Sequence, residues 1–451
     1  MSSYYVYNFG CRATQADGAE LERQFASQGL QAAPSEVAAD VVVLNTCTVT
    51  EAADKDARAA IRRVHRENPA ARIVVTGCYA QRAPEELAAL PGVSTVVGNS
   101  HKHRLAKLVA PAAFVPLASL HQPPPVHVSD IFAHTELLAA PVFDSEAIET
   151  AAGAHAERTR PNLKIQDGCD NRCSFCVIPF VRGQSRSLPL PRVLAEVNAL
   201  IAHGYREVVL SGINLGRWGN DFDRAEHFEA LIRAVLAETS LEKLRLSSIE
   251  PMDWSDELIA LVATSPRLAK HVHAPLQSGS DRVLRAMHRK YRPWHYAERI
   301  QKARAAMPHA AIGADVMVGF PGETEELFEE SRAFIALLPF TYLHVFTYSP
   351  RPGTPAADLP GQVPEPVKRE RNRILRALAA EKNRAFRASF IGRELDAITL
   401  SRRSGDETEA LTDNYLRLRL VGDFAPNQWW RARIQAVTQD GLRGTAVQPA
   451  L

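Results

Sequence analysis

The sequence Gly168-Cys169-Asp170-Asn171-Arg172-Cys173-Ser174-Phe175-Cys176 places three cysteines within eight residues, directly after a predicted strand over 163–166. Three thiolates on one short loop can each bind one iron of a cubane cluster, which leaves the fourth iron open to a small molecule. A structural zinc site needs a fourth Cys or His nearby, and none follows within the next fifteen residues. The loop therefore predicts an iron–sulfur site, with zinc or three unconnected free cysteines as the alternatives.

Strand and helix patterns alternate on the C-terminal side of Pro161. The six strand patterns lie at 163–166, 207–211, 243–247, 271–275, 312–318 and 342–347. Such alternation is typical of parallel strands joined by crossover helices. Six strand–helix units in about 230 residues predict a partial (β/α)6 barrel rather than a full eightfold one.

The first 110 residues show the same alternation. Strand patterns lie at 3–9, 41–45, 73–76 and 93–97, and helical patterns lie between them at 16–28 and 52–67. The alternation predicts a doubly wound parallel sheet, so the chain as a whole belongs to the α/β class.

Three further cysteines, Cys11, Cys47 and Cys78, each directly follow a strand of this predicted sheet. Loops at the carboxyl ends of parallel strands converge on one crevice. Three soft thiolates gathered there predict a second iron–sulfur site that is also one ligand short. Three separately buried cysteines are the alternative.

The rest of the sequence supplies the domain boundaries. Residues 115–160 interrupt the alternation with three consecutive prolines, and a long amphipathic helix is predicted over 367–390. Four short strand patterns follow, at 395–400, 415–420, 430–437 and 443–447, which is typical of a small β-barrel. We expect four parts: an N-terminal domain, a linker, a central domain and a C-terminal barrel, over 1–114, 115–160, 161–390 and 391–451.

Composition excludes several classes of protein. The 451 residues are 46% hydrophobic with a net charge of +2, which is typical of a globular chain and gives no nucleic-acid signal. No run approaches the roughly 20 apolar residues of a membrane-spanning helix, and the N-terminus lacks the features of a secretion signal. We therefore expect a cytoplasmic protein with reduced cysteines and no membrane partner.

The predicted helix over 367–390 is strongly basic, with eight Lys or Arg against two Glu. This net charge of +6 is suited to contacts with RNA phosphates, and an ordinary solvated face is the alternative. Three aromatic residues of the last domain, Phe424, Trp429 and Trp430, could stack on bases, but core packing is the favoured interpretation.

The motifs resemble those of the radical S-adenosylmethionine (SAM) enzymes, and the chain outside 115–160 is similar to the methylthiotransferase family. Stretches specific to that family run from Cys173 to Ser187, from Leu276 to Ser280 and from Val318 to Thr324. The resemblance implies two [4Fe-4S] clusters, SAM as a cofactor, a tRNA substrate and a TRAM-like RNA-binding barrel. It also implies an electron donor of the flavodoxin or ferredoxin type, and we expect a monomer.

The resemblance assigns further residues to the site. The cluster ligands are the two cysteine triplets, Cys169, Cys173 and Cys176 for the core and Cys11, Cys47 and Cys78 for the second cluster. The SAM-binding candidates end strands of the central barrel: Ser211, Gly212, Asn214, Glu250, Gln277 and Asp315. The cationic candidates for the substrate or SAM are Arg182, Arg186 and Arg351. No catalytic side chain is assigned, because the clusters and SAM carry the chemistry.

The chain departs from the family pattern after its first cysteine. Gln15 and Asp17 match that pattern, but Thr14 stands where the family usually has Asn. The resemblance therefore implies no role for Thr14.

Three stretches are most similar to the branch of the family that methylthiolates carbon 2 of N6-threonylcarbamoyladenosine at position 37 of tRNA. They are Leu246–Pro251, 344–354 and 362–371. The threonylcarbamoyl group carries a carboxylate, and Arg351 is the predicted cation for it. The alternatives are N6-isopentenyladenosine in tRNA and an aspartate of a ribosomal protein. A non-enzymatic iron–sulfur or zinc RNA-binding protein is a further alternative.

Overall fold

The structure is a computed structural model that describes residues 2–10, 12–109, 123–133 and 159–450. Cys11 and most of the predicted linker lie outside the described residues. In the described part of the chain, we find no helix with the length and apolar character needed to cross a bilayer.

The N-terminal sheet contains six parallel strands in the spatial order β2-β1-β3-β4-β5-β6. The strands are β1 (Ser3–Asn8), β2 (Gln31–Ala32), β3 (Val41–Thr46), β4 (Arg72–Gly77), β5 (Val93–Gly98) and β6 (Val126–His127). The helices are Arg12–Ser27, Glu51–Glu67, Cys78–Arg82, Pro84–Ala88 and Leu105–Val109. Alternate residues of β3 enter two different apolar cores. Both faces of the sheet are therefore covered, which confirms the predicted doubly wound arrangement.

Strand β6 lies inside the segment that the sequence predicts to be a linker. It pairs in parallel with β5 through Val96 and Val97, so at least part of this segment completes the N-terminal sheet. A strand of two residues next to consecutive prolines carries no periodicity by which a sequence pattern could reveal it. The predicted domain boundaries themselves stay predictions.

The central domain is built from two three-stranded parallel half-sheets, β11-β10-β7 and β12-β13-β14. The strands are β7 (Asn162–Lys164), β10 (Glu207–Ser211), β11 (Lys243–Leu246), β12 (His271–His273), β13 (Ala311–Val318) and β14 (Tyr342–Thr347). The helices are Ile178–Arg182, Leu190–Ala202, Phe228–Glu238, Asp256–Thr264, Asp281–Ala286, Pro293–Ala306 and Glu325–Leu337. Within the described ranges no pairing joins β7 to β14, so the predicted partial barrel is confirmed, with its opening on that side.

The C-terminal domain is a closed barrel of five strands in the order β15-β16-β17-β19-β18. The strands are β15 (Glu394–Ser404), β16 (Glu407–Thr412), β17 (Arg417–Val421), β18 (Trp429–Val437) and β19 (Leu442–Pro449). Four of them were predicted from the sequence, whereas β16 was not, because a Thr occupies its first buried position and hides the apolar alternation. Trp429 is buried, in agreement with the packing interpretation.

The turn 413–415 fixes the C-terminal barrel to the base of the central barrel. Asn414 Nδ2 donates a hydrogen bond of 2.9 Å to the carbonyl of His309. Tyr415 adopts a left-handed backbone conformation, with φ at 68°, and its ring stacks on His271 at 4.4 Å between centroids. Few non-glycine residues adopt this conformation. The contact with His271 is therefore a specific feature of the interface.

The basic helix, Glu365–Ala388, uses much of its charge within the fold. Lys368, Arg371 and Arg387 are buried. Lys368 donates to a backbone carbonyl, Arg371 binds Glu323 at 2.8 Å, and Arg387 donates to carbonyls of the C-terminal barrel. The predicted net charge of +6 therefore overstates the charge that this helix offers to RNA.

A buried ionic network joins the N-terminal and central domains. It consists of two acids and three cations: Asp17, Asp167, Lys102, Lys164 and Arg182. Asp17 accepts from Lys102 at 3.0 Å within its own domain and from Arg182 at 2.8 Å across the interface. Because every member is almost fully buried, removal of one partner would leave an uncompensated charge in a medium of low dielectric constant.

A second buried network crosses the same interface. Asp54 binds Arg82 at 2.9 Å and also binds Arg351, which follows β14 and is only 3% exposed. The Thr48 hydroxyl donates to the same carboxylate at 2.6 Å. One acid therefore balances two guanidinium groups here, as two acids balance three cations in the first network.

We expect Asp17→Asn to lower the free energy of unfolding by about 3–5 kcal/mol at neutral pH, because the buried cations lose a shared carboxylate. Urea unfolding measures this value. Asp256→Asn is the matched control, since Asp256 is exposed and binds Arg299 and Lys302 at the surface, where such pairs contribute little. Equal losses in the two variants would contradict the role given to the network.

The same carboxylate predicts a dependence of stability on pH. Burial opposes ionisation, but Arg182, Lys102 and Lys164 hold the pKa of Asp17 well below its ordinary value of 3.8. The stabilisation is therefore present above the unfolded-state pKa of about 3.9 and is lost as the pH falls through the folded-state value. Below about pH 4, the wild type should lose stability more steeply than Asp17→Asn, and parallel profiles would contradict this assignment.

Candidate functional site

The core cysteine loop follows the two-residue strand β8 (Gln166–Asp167), which pairs with β9 (Arg186–Ser187). Gly168 has φ at 71°, and a side chain there would collide with the carbonyl of Gln184. Only glycine permits this backbone conformation at residue 168, and it lets the chain turn sharply into Cys169.

The three thiols of this loop lie in a partly enclosed environment. Cys169 is buried, and Cys173 and Cys176 are half-buried. Burial raises the pKa of Cys169 to about 11 and that of Cys176 to about 12. These thiols are therefore protonated at neutral pH when free, and a bound metal must displace their protons.

Two polar side chains from distant parts of the central domain approach the cysteine sulfurs. Asn214 Nδ2 lies 3.8 Å from Cys169 Sγ, and Arg289 Nη1 donates to Cys173 Sγ at 3.2 Å. Arg289 is buried and also binds Glu250. Arg289 was not among the predicted site residues, because its separation of 116 residues from Cys173 gives no local motif.

Four of the six predicted SAM residues lie at or just beyond the carboxyl ends of β10 and β12, whereas Asp315 lies inside β13, three residues before its end. Ser211 is the buried last residue of β10, Asn214 is buried after it, and Gln277 is buried beyond β12 with φ at 66°. A Cβ at Gly212 would contact Gln166, so the chain passes close to β8 there. Among the described residues, Asn214 Oδ1 and Gln277 Oε1 have no hydrogen-bond partner. Two buried acceptors without partners next to the cysteine loop fit a bound molecule that carries hydrogen-bond donors.

Glu250 and Asp315, the two predicted acids, are already engaged within the protein. Glu250 binds Arg289, and Asp315 lies 3.1 Å from His273 Nε2. His344 also approaches, so that His273, Asp315 and His344 bring one ligand atom each within 4.8 Å of one another. Asp315 was among the residues predicted from the sequence, but the two histidines were not.

The cysteines of the N-terminal domain follow neighbouring strands, as predicted. Cys47 comes after β3 and Cys78 after β4, and the last residues of these strands, Thr46 and Gly77, are paired. Cys11 lies outside the described residues. A Cβ at Gly10, the preceding residue, would lie 3.1 Å from Cys47 Sγ, so the chain that leads to Cys11 passes beside Cys47.

Cys78 of the N-terminal domain lies against the segment that follows the core cysteine loop. Cys78 packs in one buried cluster with Val177 and Val181, and Val177 directly follows Cys176. Asn99 connects the same elements, because its Nδ2 lies 3.5 Å from Cys78 Sγ and donates to the carbonyl of Val181 at 2.7 Å. The geometry therefore places a site of the N-terminal domain next to the core loop.

The three predicted cationic residues form hydrogen bonds and ion pairs within the protein. Arg182 belongs to the network of Asp17, Arg351 binds Asp54, and Arg186 Nη2 donates to the carbonyl of Arg182 at 2.6 Å. All three side chains are buried. The structure places them at the interface around the cysteines, so their roles in binding substrate or SAM stay predictions.

Two family descriptions match successive parts of the chain. Residues 3–98 match the "Uncharacterized protein family UPF0004", and residues 163–335 match the "Radical SAM superfamily". Among solved structures, the radical SAM methyltransferase TsrM from Kitasatospora setae superposes with a TM-score of 0.55 at 17% identity, over 79% of this chain and 77% of that one. At this identity the likeness shows the fold alone.

Curated relatives match nearly the whole chain. The threonylcarbamoyladenosine tRNA methylthiotransferase MtaB of Aquifex aeolicus is 38% identical over 92% of this chain and 95% of its own length. The MtaB protein of Bacillus subtilis is 37% identical over 94% and 91%. The tRNA-2-methylthio-N(6)-dimethylallyladenosine synthase of Streptomyces viridosporus is 36% identical over 94% and 82%. The chain therefore belongs to the radical-SAM methylthiotransferase family.

Proposed function

We propose that this enzyme transfers a methylthio group to carbon 2 of N6-threonylcarbamoyladenosine at position 37 of tRNA. The observation that carries the proposal is the match to the MtaB relatives over at least 91% of both chains. The dimethylallyladenosine synthase has similar identity but a lower coverage of its own length. Methylthiolation of isopentenyladenosine is therefore the second candidate.

The two cysteine groups fit the cofactors of this reaction. Cys169, Cys173 and Cys176 would hold the core cluster, and Cys11, Cys47 and Cys78 would hold the second. When bound, the clusters and SAM supply the radical that activates an inert C–H bond and the sulfur that is transferred.

The protein's own side chains position these groups. Arg289 keeps a buried positive charge 3.2 Å from a cysteine sulfur of the core loop, where its guanidinium can donate a hydrogen bond to a cluster ligand. Asn214 and Gln277 offer buried carbonyl oxygens that suit the ammonium or hydroxyl donors of SAM. The ionic networks of Asp17 and Asp54 join the N-terminal domain, which carries Cys47 and Cys78, to the central domain, which carries the core loop.

The remaining partners follow from the same proposal. Reduction of the core cluster requires a one-electron donor, for which a flavodoxin or a ferredoxin is suited. We infer that the enzyme acts as a monomer in the cytoplasm, where its tRNA substrate is found.

One prediction of the proposed function distinguishes the roles of the two cysteine groups. Cys47→Ala should lower the iron content by roughly half, because one of two four-iron clusters loses a ligand. SAM cleavage to deoxyadenosine should persist in this variant, whereas methylthiolated product should disappear. Iron analysis and chromatography of the nucleosides measure these quantities.

Cys173→Ala is the matched control for that experiment. It should also remove about half of the iron, but deoxyadenosine formation should be lost with it. If Cys47→Ala retained the full iron content, the N-terminal cysteines would be ordinary core residues.

A further prediction of the proposed function concerns the substrate. Reconstituted enzyme should methylthiolate anticodon stem-loop RNA that carries threonylcarbamoyladenosine and leave RNA with isopentenyladenosine unchanged. Mass spectrometry of the digested nucleosides distinguishes the two products. Preferred turnover of the isopentenylated RNA, or of a ribosomal protein, would reject this substrate and leave the family assignment intact.

A further inference from the structure

A cavity of about 800 Å³ lies where the three domains meet. Its walls include Gln15 of the N-terminal domain, Asn162 and His344 of the central barrel, and Arg417 of the C-terminal barrel. This volume is within the range of about 300–1,000 Å³ that is typical of ligand sites. The cavity is therefore large enough for a modified nucleoside, and it adjoins all three domains that the proposed reaction needs.

The cavity wall contains a cation that is only partly neutralised. Arg160 is 23% exposed, and its Nη1 lies 3.5 Å from an oxygen of the buried Glu207. Arg245 binds the same oxygen much more closely, at 2.6 Å. In the described part of the chain, Glu207 is the one acid within 4 Å of the Arg160 guanidinium. One carboxylate thus serves two guanidinium groups, which leaves one positive charge at the wall.

We propose that Arg160 is the specificity-determining residue of this cavity and binds the carboxylate of the substrate's threonylcarbamoyl side chain. The inference rests on the proposed function, because it assumes that the substrate nucleoside carries this group. A carboxylate would complete the charge balance of Arg160, Arg245 and Glu207 through charge-assisted hydrogen bonds. This is the role that the sequence analysis gave to Arg351, whose guanidinium binds Asp54 instead.

The same charge discriminates against the isopentenyl substrate. An isopentenyl group has no anion to offer, so its entry would remove water from Arg160 without compensation. Arg402 and Arg417 also border the cavity but are exposed. They are suited to backbone phosphates, which every RNA carries, and so they contribute to affinity rather than to the choice of nucleoside.

The test uses three stem-loop RNAs and full-length reconstituted enzyme. The RNAs carry threonylcarbamoyladenosine, its carboxamide analogue or isopentenyladenosine, so that the first two have nearly the same shape but only the first carries the negative charge. Wild type should prefer the acid over the amide by roughly 10- to 100-fold in kcat/KM, as expected for a hydrogen-bonded ion pair. In Arg160→Gln this preference should vanish, and in Arg160→Lys it should persist in part.

The control and the second readout exclude a loss of fold. Arg233→Gln removes an arginine that binds Glu257 on the surface, and it should behave as wild type. Arg160→Gln leaves the close pair of Arg245 and Glu207 in place, so its melting temperature should be unchanged. Equilibrium binding of the acid and amide RNAs should show the same loss of preference as turnover.

The outcomes separate this inference from the proposed function. Equal losses on the acid and amide RNAs in Arg160→Gln would show that Arg160 only supports the fold or binds phosphate. A wild-type preference for the acid that survives in Arg160→Gln would place the carboxylate elsewhere. A wild-type preference for isopentenylated RNA would reject the proposed function itself.

Discussion

The contacts of the buried Asp17 carboxylate are the interaction on which the placement of the N-terminal domain against the core cysteine loop depends. This carboxylate accepts from Lys102 of its own domain and from Lys164 and Arg182 of the central domain. Ionic contacts inside a low-dielectric interface tolerate little displacement, because a small separation exposes unpaired charge. The N-terminal sheet is therefore held at one position over the central barrel, and Cys78 is held against the segment that follows the core loop.

Much of the fold could be predicted because buried parallel strands contain continuous apolar runs, as in the first four residues of Val41–Thr46. Elements without that pattern could not. Strand β16 carries Thr408 at a buried position, and β6 has only two residues beside prolines. In the basic helix, the count of charges could not reveal that Lys368 and Arg371 are buried, since their partners come from other segments.

In the candidate site too, features that depend on local sequence spacing could be predicted, whereas contacts between distant residues could not. The spacing of Cys169, Cys173 and Cys176 is a local feature, so the sequence is sufficient to predict an iron–sulfur loop. The contacts of Arg289 and Arg351 join residues that are 116 and 297 positions apart. No motif encodes such pairs, and chemistry alone could not tell a cation that binds substrate from one that binds Asp54 or Glu250.

The turn 413–415 gives the C-terminal barrel a further property. Tyr415 stacked on His271 and Asn414 bound to His309 fix the position of that barrel relative to the central domain. An RNA gripped by its outer surface would be held at a set distance from the central strands. The barrel would then select a nucleotide by distance. The nucleotide that enters the cavity would be the one at a fixed distance from the bound phosphates, whatever the RNA sequence between them.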